Sequence, residues 1–349
     1  MRASGLIAAL LLFSGVIFGQ DTLQVEEDFS MYADAELAGD AKRFCTSKVF
    51  DQSPNKLISV GYDYQAPYDL NLAAVAGSSA ATLRTRMNRG LRLAANVPVI
   101  SKTNILLSIG ANYWEHFYDI EGEAENALGR SLQDYGLRTA GVNFTIFKPL
   151  NENNFVLVQG QADVNGNFDF EELPALRHTR YSGTAVYGWK KHDRLMYGFG
   201  ISRTYRIGEP NYIPVFLYNY TFPSRKWGVE AVFPARGHLR RNWSPRTMGF
   251  FGYELEGQSY RIANRDNVFN GNLNSLELRR SELRIRLMIE RSIKDFIWIS
   301  VQGGFRYNWS FNADDKDFFR GFGGDQAYLM ENSIANSLYF NVSLNLVSP

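Results

Sequence analysis

The stretch LRIRLMIERSIKDFIWISVQGGFRY, Leu283–Tyr307, decides the fold. Leu283, Ile285, Leu287 and Ile289 alternate with Arg284, Arg286 and Glu290, and Glu282 extends the charged series, so one face is apolar and the other ionic. Successive side chains point to opposite faces only in an extended strand. The alternation stops at Ile293-Lys294-Asp295 and resumes through Trp298, as expected of two antiparallel strands joined by a tight polar turn.

Five further segments repeat this arrangement: Leu91–Tyr113, Val142–Val164, Thr184–Ile201, Val215–Phe233 and Leu239–Leu255. Their centres are Ser101-Lys102-Thr103, Asn151-Glu152-Asn153, Lys191-His192-Asp193, Pro223-Ser224-Arg225 and Ser244-Pro245-Arg246, all containing residues that turns favour. The connections between units are longer and polar, as in Ile120–Gln133, Asn165–His178, Ala263–Asn272 and Asn312–Asn332. Short turns at one end and long loops at the other mark an outer-membrane barrel, whose short turns face the periplasm and whose long loops are extracellular. The expected fold is therefore all-β, a transmembrane antiparallel up-and-down β-barrel. Its strands are expected near 56–64, 84–100, 104–117, 135–149, 154–165, 180–190, 194–207, 212–222, 227–233, 237–243, 247–262, 274–292, 296–310 and 334–347. That makes 14 strands, or 12 if the short pair around Pro234-Ala235-Arg236-Gly237 is one interrupted excursion. A soluble exported β-sandwich is the other fold such alternation allows.

With 349 residues, 45% hydrophobic and 14% aromatic, the chain has enough apolar material for an ordered structure. Its mean hydropathy of −0.26 suits a soluble protein. A barrel resolves the conflict, because only alternate residues of each strand meet lipid. No stretch after residue 20 approaches the roughly 18 continuous apolar residues of a membrane helix. A formal charge of +1 gives no basis for a nucleic-acid partner.

Residues 1–19 carry Arg2, an apolar run from Leu6 to Phe18 and the small Gly19, the build of a signal peptide. Export and an integral outer-membrane location follow as expectations. Residues 20–55 are read as a polar periplasmic extension, acidic at Glu26-Glu27-Asp28, with a small lumen plug as the alternative because Phe29, Tyr32 and Phe44 give it something to bury. The barrel occupies 56–347. Cys45 is the single cysteine, which excludes an intramolecular disulfide.

The tryptophans suggest two aromatic levels. Trp189, Trp227, Trp243 and Trp298 lie close to short turns, whereas Trp114 and Trp309 sit at the opposite strand ends. All six are expected at the membrane interfaces, where an indole buries its ring and keeps its N–H wet. Inward parity on the later strands gathers Glu230, Arg240, Glu254, Glu256, Glu282, Arg284, Arg286, Glu290 and Arg306 on the lumen wall. These charges form either a salt-bridge network filling a closed barrel or a charged constriction in a water-filled pore.

No catalytic residue, metal site or cofactor is assigned. The four histidines lack metal-ligand spacing, and His116 beside Glu115 is the one candidate for a rim hydrolase. Asp314-Asp315-Lys316-Asp317 lacks the glycine and terminal glutamate of a calcium loop and reads as a solvated acidic loop.

Lys56-Leu57-Ile58-Ser59-Val60-Gly61-Tyr62, the Phe233-Pro234 element with His238-Leu239-Arg240, and Gly252-Tyr253-Glu254-Leu255 running to Tyr260-Arg261-Ile262 make the chain resemble a family of uncharacterised outer-membrane β-barrels of Gram-negative bacteria. The family is catalogued as a domain of unknown function, and the resemblance spans about residues 45–347. It implies an architecture and a compartment, not an activity. The class also implies membrane lipids and lipopolysaccharide as surroundings and the barrel-assembly machinery as a partner during insertion. The chain ends Leu346-Val347-Ser348-Pro349 rather than on the aromatic residue common in such barrels. The expected function is a passive channel or porin-like transporter for small polar solutes, the alternatives being a closed structural or surface-interaction barrel and a rim-active lipid or peptide hydrolase. The solute and the oligomeric state are not legible in the sequence.

Overall fold

The computed structural model describes residues 43–169, 171, 178–205, 211–270, 273–315 and 327–348. The expected signal peptide, 1–19, and residues 20–42 of the expected extension lie outside the described residues.

Strands follow the chain as β1 (Lys56–Gln65), β2 (Tyr68–Leu72), β3 (Ala81–Lys102), β4 (Ile105–Ile120), β5 (Leu137–Pro149), β6 (Asn154–Gly166), β7 (Arg180–His192) and β8 (Leu195–Thr204). They continue as β9 (Asn211–Thr221), β10 (Trp227–Phe233), β11 (Arg236–Ser244), β12 (Thr247–Ala263), β13 (Ser275–Lys294), β14 (Ile297–Asp314), β15 (Ser333–Ile334) and β16 (Ser337–Val347). β1 pairs with β16 on one side and β3 on the other, so the sheet closes on itself. β2 and β15 pair with each other outside this closure, which leaves fourteen of the sixteen strands in the antiparallel ring. Closure is what a membrane barrel requires, since no backbone edge can face hydrocarbon unpaired. The short pair β10 and β11 counts as two strands because β10 ladders onto β9 and β11 onto β12.

The short turns are closed by their own side chains. Asn151 Oδ1 accepts from the amides of Asn153 and Asn154, both at 2.8 Å. The amides of Lys226 and Arg246 donate to Ser224 and Ser244 hydroxyls two residues earlier. These are the local bonds by which Asn and Ser favour turns. Outside the ring, alternation leaves Ile58, Val60, Tyr62 and Tyr64 of β1, Ile285, Leu287 and Ile289 of β13, and Leu338, Phe340 and Leu344 of β16 exposed. An apolar belt of this extent is unfavourable in water and stable against lipid.

The interior is filled at both ends. At the outer end, the long connection after β4 turns inward as helix α1 (Ala127–Tyr135), so the segment expected as a polar extracellular loop buries an apolar face. Asn126 caps it: Oδ1 accepts from Leu128 and Gly129 amides, while Nδ2 donates to the carbonyls of Ala73 and Ser79. Leu128 and Leu132 then pack with Leu70, Tyr118, Ile262, Leu278 and Phe311 in the largest apolar cluster of the molecule. At the inner end, residues 43–55 run beneath the lumen. The Cys45 amide bonds Asn151, the Phe50 amide bonds Asp193, and Arg225 clasps Asp51 with Nε at 2.6 Å. Cys45 and Val49 pack on Phe147, Phe155, Val186, Met196 and Leu217. Residues 43–55 are thus held at the inner end by backbone bonds, the Arg225–Asp51 pair and the burial of Cys45 and Val49 together.

Near the outer end the ring is also pinched. Arg261 of β12 bridges Gly166 of β6 across the lumen, and Asn167 exchanges side-chain bonds with the amide and carbonyl of Ala263. A Cβ at Gly166 would stand 2.3 Å from the Arg261 carbonyl oxygen, so only glycine permits this approach. The pinch leaves β7–β11 as an arc to one side of the filled outer end.

Candidate functional site

The nine lumen charges inferred from parity do not share one surface. They divide into four groups, each completed by residues that parity on the later strands did not reach. The largest is a buried ionic layer. Arg284 Nη1 meets Glu256 Oε2 at 2.6 Å and Arg284 Nε meets Glu282 Oε1 at 2.6 Å. Arg306 reaches Asp63 at 3.4 Å and Glu282 at 3.7 Å. Arg92 Nη2 bonds Glu256 at 2.7 Å, and its Nε stands 2.5 Å from Asp63. Arg280 completes the layer through Glu282 at 2.9 Å. The Tyr339 ring lies under Arg284 and Arg306, at 5.4 and 4.9 Å.

This layer spans β1, β3, β12, β13 and β14, and its members Asp63, Glu282, Arg284 and Arg306 are all buried. Desolvated charges this close are stabilised by mutual pairing. Each arginine of the layer has a carboxylate within 4.0 Å, although Arg284 Nη2 and Arg306 Nε are buried without a hydrogen-bond partner among the described residues. Asp63, Arg92 and Arg280 were missed in the sequence, although Asp63 is the lone charge inside the alternation of β1.

The other groups lie toward the inner end. Arg286 bonds Glu254 at 2.6 Å and His238 Nε2 at 3.0 Å. Arg240 pairs with Glu230 at 2.5 Å, and Glu230 also accepts from the Ser53 hydroxyl at 3.1 Å, tying residues 43–55 to the wall. Glu290 pairs with Lys56 at 2.6 Å and accepts from Ser300 at 3.0 Å.

Beside the ionic layer, under the arc, is a chamber of about 380 Å³. Asn96, Asn112, Asn143, Gln159, Gln161 and Gln258 line it together with the hydroxyls of Thr145, Ser182, Thr184 and Ser202. Its carboxylates are engaged: Asp163 accepts from Gln161 at 2.6 Å and Asn112 at 3.3 Å, and Glu256 belongs to the ionic layer. Neutral donors and acceptors face the space, together with Arg236, the one cation among its lining residues. The buried N–H of Trp114 and the Oδ1 of Asn112 have no hydrogen-bond partner among the described residues.

Trp114 is thus not an interface residue. It shares the inward parity of Asn112, lines the chamber and carries Arg92 over its ring at 5.0 Å. Trp298 is also inward, packed with Met248, Phe250 and Val347, its N–H bonded to the Asp295 carbonyl. Position along a strand does not give the face of an indole; parity with its neighbours does. Trp227, Trp243 and Trp309 are exposed on the outside, and Trp189 sits there among Tyr187, Tyr197 and Phe199. His116 is not at an outer rim: it is buried, with Nδ1 3.3 Å from Asn88. Asp314 pairs with Arg279 at 3.5 Å, while Lys316 and Asp317 lie outside the described residues.

No curated protein matches the chain. Among solved structures it is similar to an outer-membrane channel from Pseudomonas putida F1, at 12% identity over 87% of this chain and 100% of that one, TM-score 0.40. A Pseudomonas aeruginosa FadL homologue matches at 9% identity over 84% of this chain and 90% of that one, TM-score 0.39. The NanC porin matches at 10% identity over 83% of this chain and 100% of that one, TM-score 0.35. Likeness at this level fixes neither solute nor mechanism. A family described as a domain of unknown function, DUF6268, matches residues 130–347. The Phe233-Pro234 and Gly252–Ile262 stretches fall within that match and Lys56–Tyr62 precedes it. Covering well over half of the sequence, the match shows that the chain belongs to the DUF6268 family.

Proposed function

We propose that this barrel is a gated conduit for small, uncharged polar solutes, with the amide-lined chamber as its path and residues 43–55 as its inner stopper. One observation carries the reading: a cavity of about 380 Å³, rich in amides and hydroxyls and with its carboxylates already engaged, has in its lining Val215 and Val232, which also belong to the apolar cluster that buries Cys45 and Val49. Such walls offer neutral donors and acceptors, which suit hydroxyl-rich molecules better than ions. The ionic layer supports the wall, its four arginines each paired with one or more of its three carboxylates. A wholly closed barrel is the competing reading, favoured by the apolar clusters at both ends.

Osmotic swelling of proteoliposomes separates the two. Val49 is 4% exposed among apolar side chains, so Val49→Asp should release the stopper without touching a strand. Swelling in a neutral pentose is expected to be slow for the native protein and fast for Val49→Asp, and slower for a charged solute of the same size. Equal, negligible swelling of both proteins in every solute would establish the closed barrel.

A further inference from the structure

Among the described residues the barrel wall has a gap on the side of the chamber. β10 ladders onto β9 only from Phe216 to Thr221, so residues 211–215 of β9 have a partner on the β8 side alone. β11 ladders onto β12 only as far as Glu254, with one further bond from the Leu255 amide to the Ala235 carbonyl. The next bridge on that edge of β12 is the distant one between Arg261 and Gly166. Between these limits two strand edges flank the low tip of the β10–β11 hairpin with no ladder joining them among the described residues. Ile213, Val232, Pro234, Ala235 and Gly257, which frame the gap, are also lining residues of the chamber. The cavity therefore extends to the break in the wall.

Three features say what the gap faces. Unpaired backbone edges are too costly in hydrocarbon, so the break must be wet. Pro214 lies in the unpaired stretch of β9, and proline is tolerated in strands where no ladder bond is needed. Arg236, exposed, stands at the tip, and Tyr212, 61% exposed, stands on the outer face above it at the end of the arc. An exposed guanidinium and a tyrosine at this height place the gap at the aqueous interface. Along the axis, α1 and its apolar cluster fill the outer end.

We propose that polar solutes enter the chamber sideways, through this gap over the β10–β11 tip, and not along the barrel axis. The proposal rests on the conduit reading for what enters, and on the strand pairing alone for where. The test is a nitroxide on Thr184→Cys, a chamber-wall position, in a Cys45→Ala background reconstituted in phosphatidylcholine vesicles. A water-soluble nickel chelate added outside is expected to relax the label. Ala235→Trp, and independently Ile213→Trp on the facing edge, should abolish that relaxation while the barrel keeps its heat-modifiable mobility. Relaxation that survives both tryptophans means axial entry and overturns the proposal. So does a label reached by oxygen but not by nickel in the parent, which would put lipid at the gap. Since access rather than flux is measured, a protein that admits nickel at the gap but transports no solute would remove the conduit reading and keep the side entrance.

Discussion

Arg284 and Arg306 stand directly opposite each other on β13 and β14, two buried cations that reach the same two carboxylates, Asp63 and Glu282. Like charges face to face across a ladder repel, and this pair persists because carboxylates from β1 and β13 stand between them. Arg306→Ala is expected to lower stability by about 3–5 kcal/mol, since it strips compensation from buried carboxylates. Urea unfolding in detergent measures it, and a loss indistinguishable from zero would mean the layer is not the structural unit described.

Arg284→Glu and Arg286→Glu should behave differently although both residues face inward. Arg284 has 1% of its side chain exposed and Arg286 has 12%. Arg284→Glu places a third carboxylate against Glu256 and Glu282 and should abolish folding into a heat-modifiable barrel; Arg286→Glu, diagonal to Glu254 at the wetter inner end, should fold. Equal yields of both would contradict the division of the lumen charges into separate groups.

The tryptophans provide a spectroscopic check. Single-tryptophan proteins retaining Trp227, Trp243 or Trp309 should be quenched by brominated lipid, because these rings lie outside the ring of strands. One retaining Trp114 should resist brominated lipid and respond to aqueous acrylamide. Lipid quenching of Trp114 would place it on the wrong face.

Asn126 holds α1 through four bonds to backbone groups. Asn126→Ala removes the helix cap and the side-chain bonds to the Ala73 and Ser79 carbonyls, a cost of about 1–2 kcal/mol on the cap of the barrel. Limited proteolysis on whole cells should then cut within residues 120–136, which the native protein should resist.

The stopper should tighten in mild alkali. Burial pushes the Lys48 amine down to about 8 from its ordinary 10.5, with Glu230 acting upward and Arg240 downward. A released Lys48 binds its proton up to the ordinary value, so between about 8 and 10.5 the released state holds more protons than the docked one. Docking is therefore favoured as pH rises through that window, and below it this group's unfavourable contribution no longer changes with pH. Conductance should fall between pH 8 and 10, and Lys48→Met should remove the dependence; a rise with pH would contradict the assignment.

Much of this architecture is legible in the sequence because a lipid-facing strand writes itself with a period of two, as in Leu283–Glu290 and Leu338–Leu346. What parity cannot show is which wall charges meet across the lumen. Asp63 and Arg92 come from strands whose inward faces are otherwise small or neutral, so nothing marks them as partners of Glu282 and Glu256 before the ring closes. The outer cap is hidden because α1 spans nine residues and buries only a few apolar side chains within a polar loop. The stopper is hidden for the same reason, with Cys45 and Val49 as its buried contacts. Trp114 was readable: it follows Gly110 and Asn112 at the same parity. Pro214 inside β9 was the readable mark of an unpaired strand edge.

Single-channel recording in planar bilayers of the native protein beside Val49→Asp decides whether residues 43–55 gate the chamber. The native protein should be mostly silent and the variant should show sustained openings, both with intact heat-modifiable mobility. A folded Val49→Asp barrel as silent as the native one, or a native protein already fully open, would contradict gating by residues 43–55.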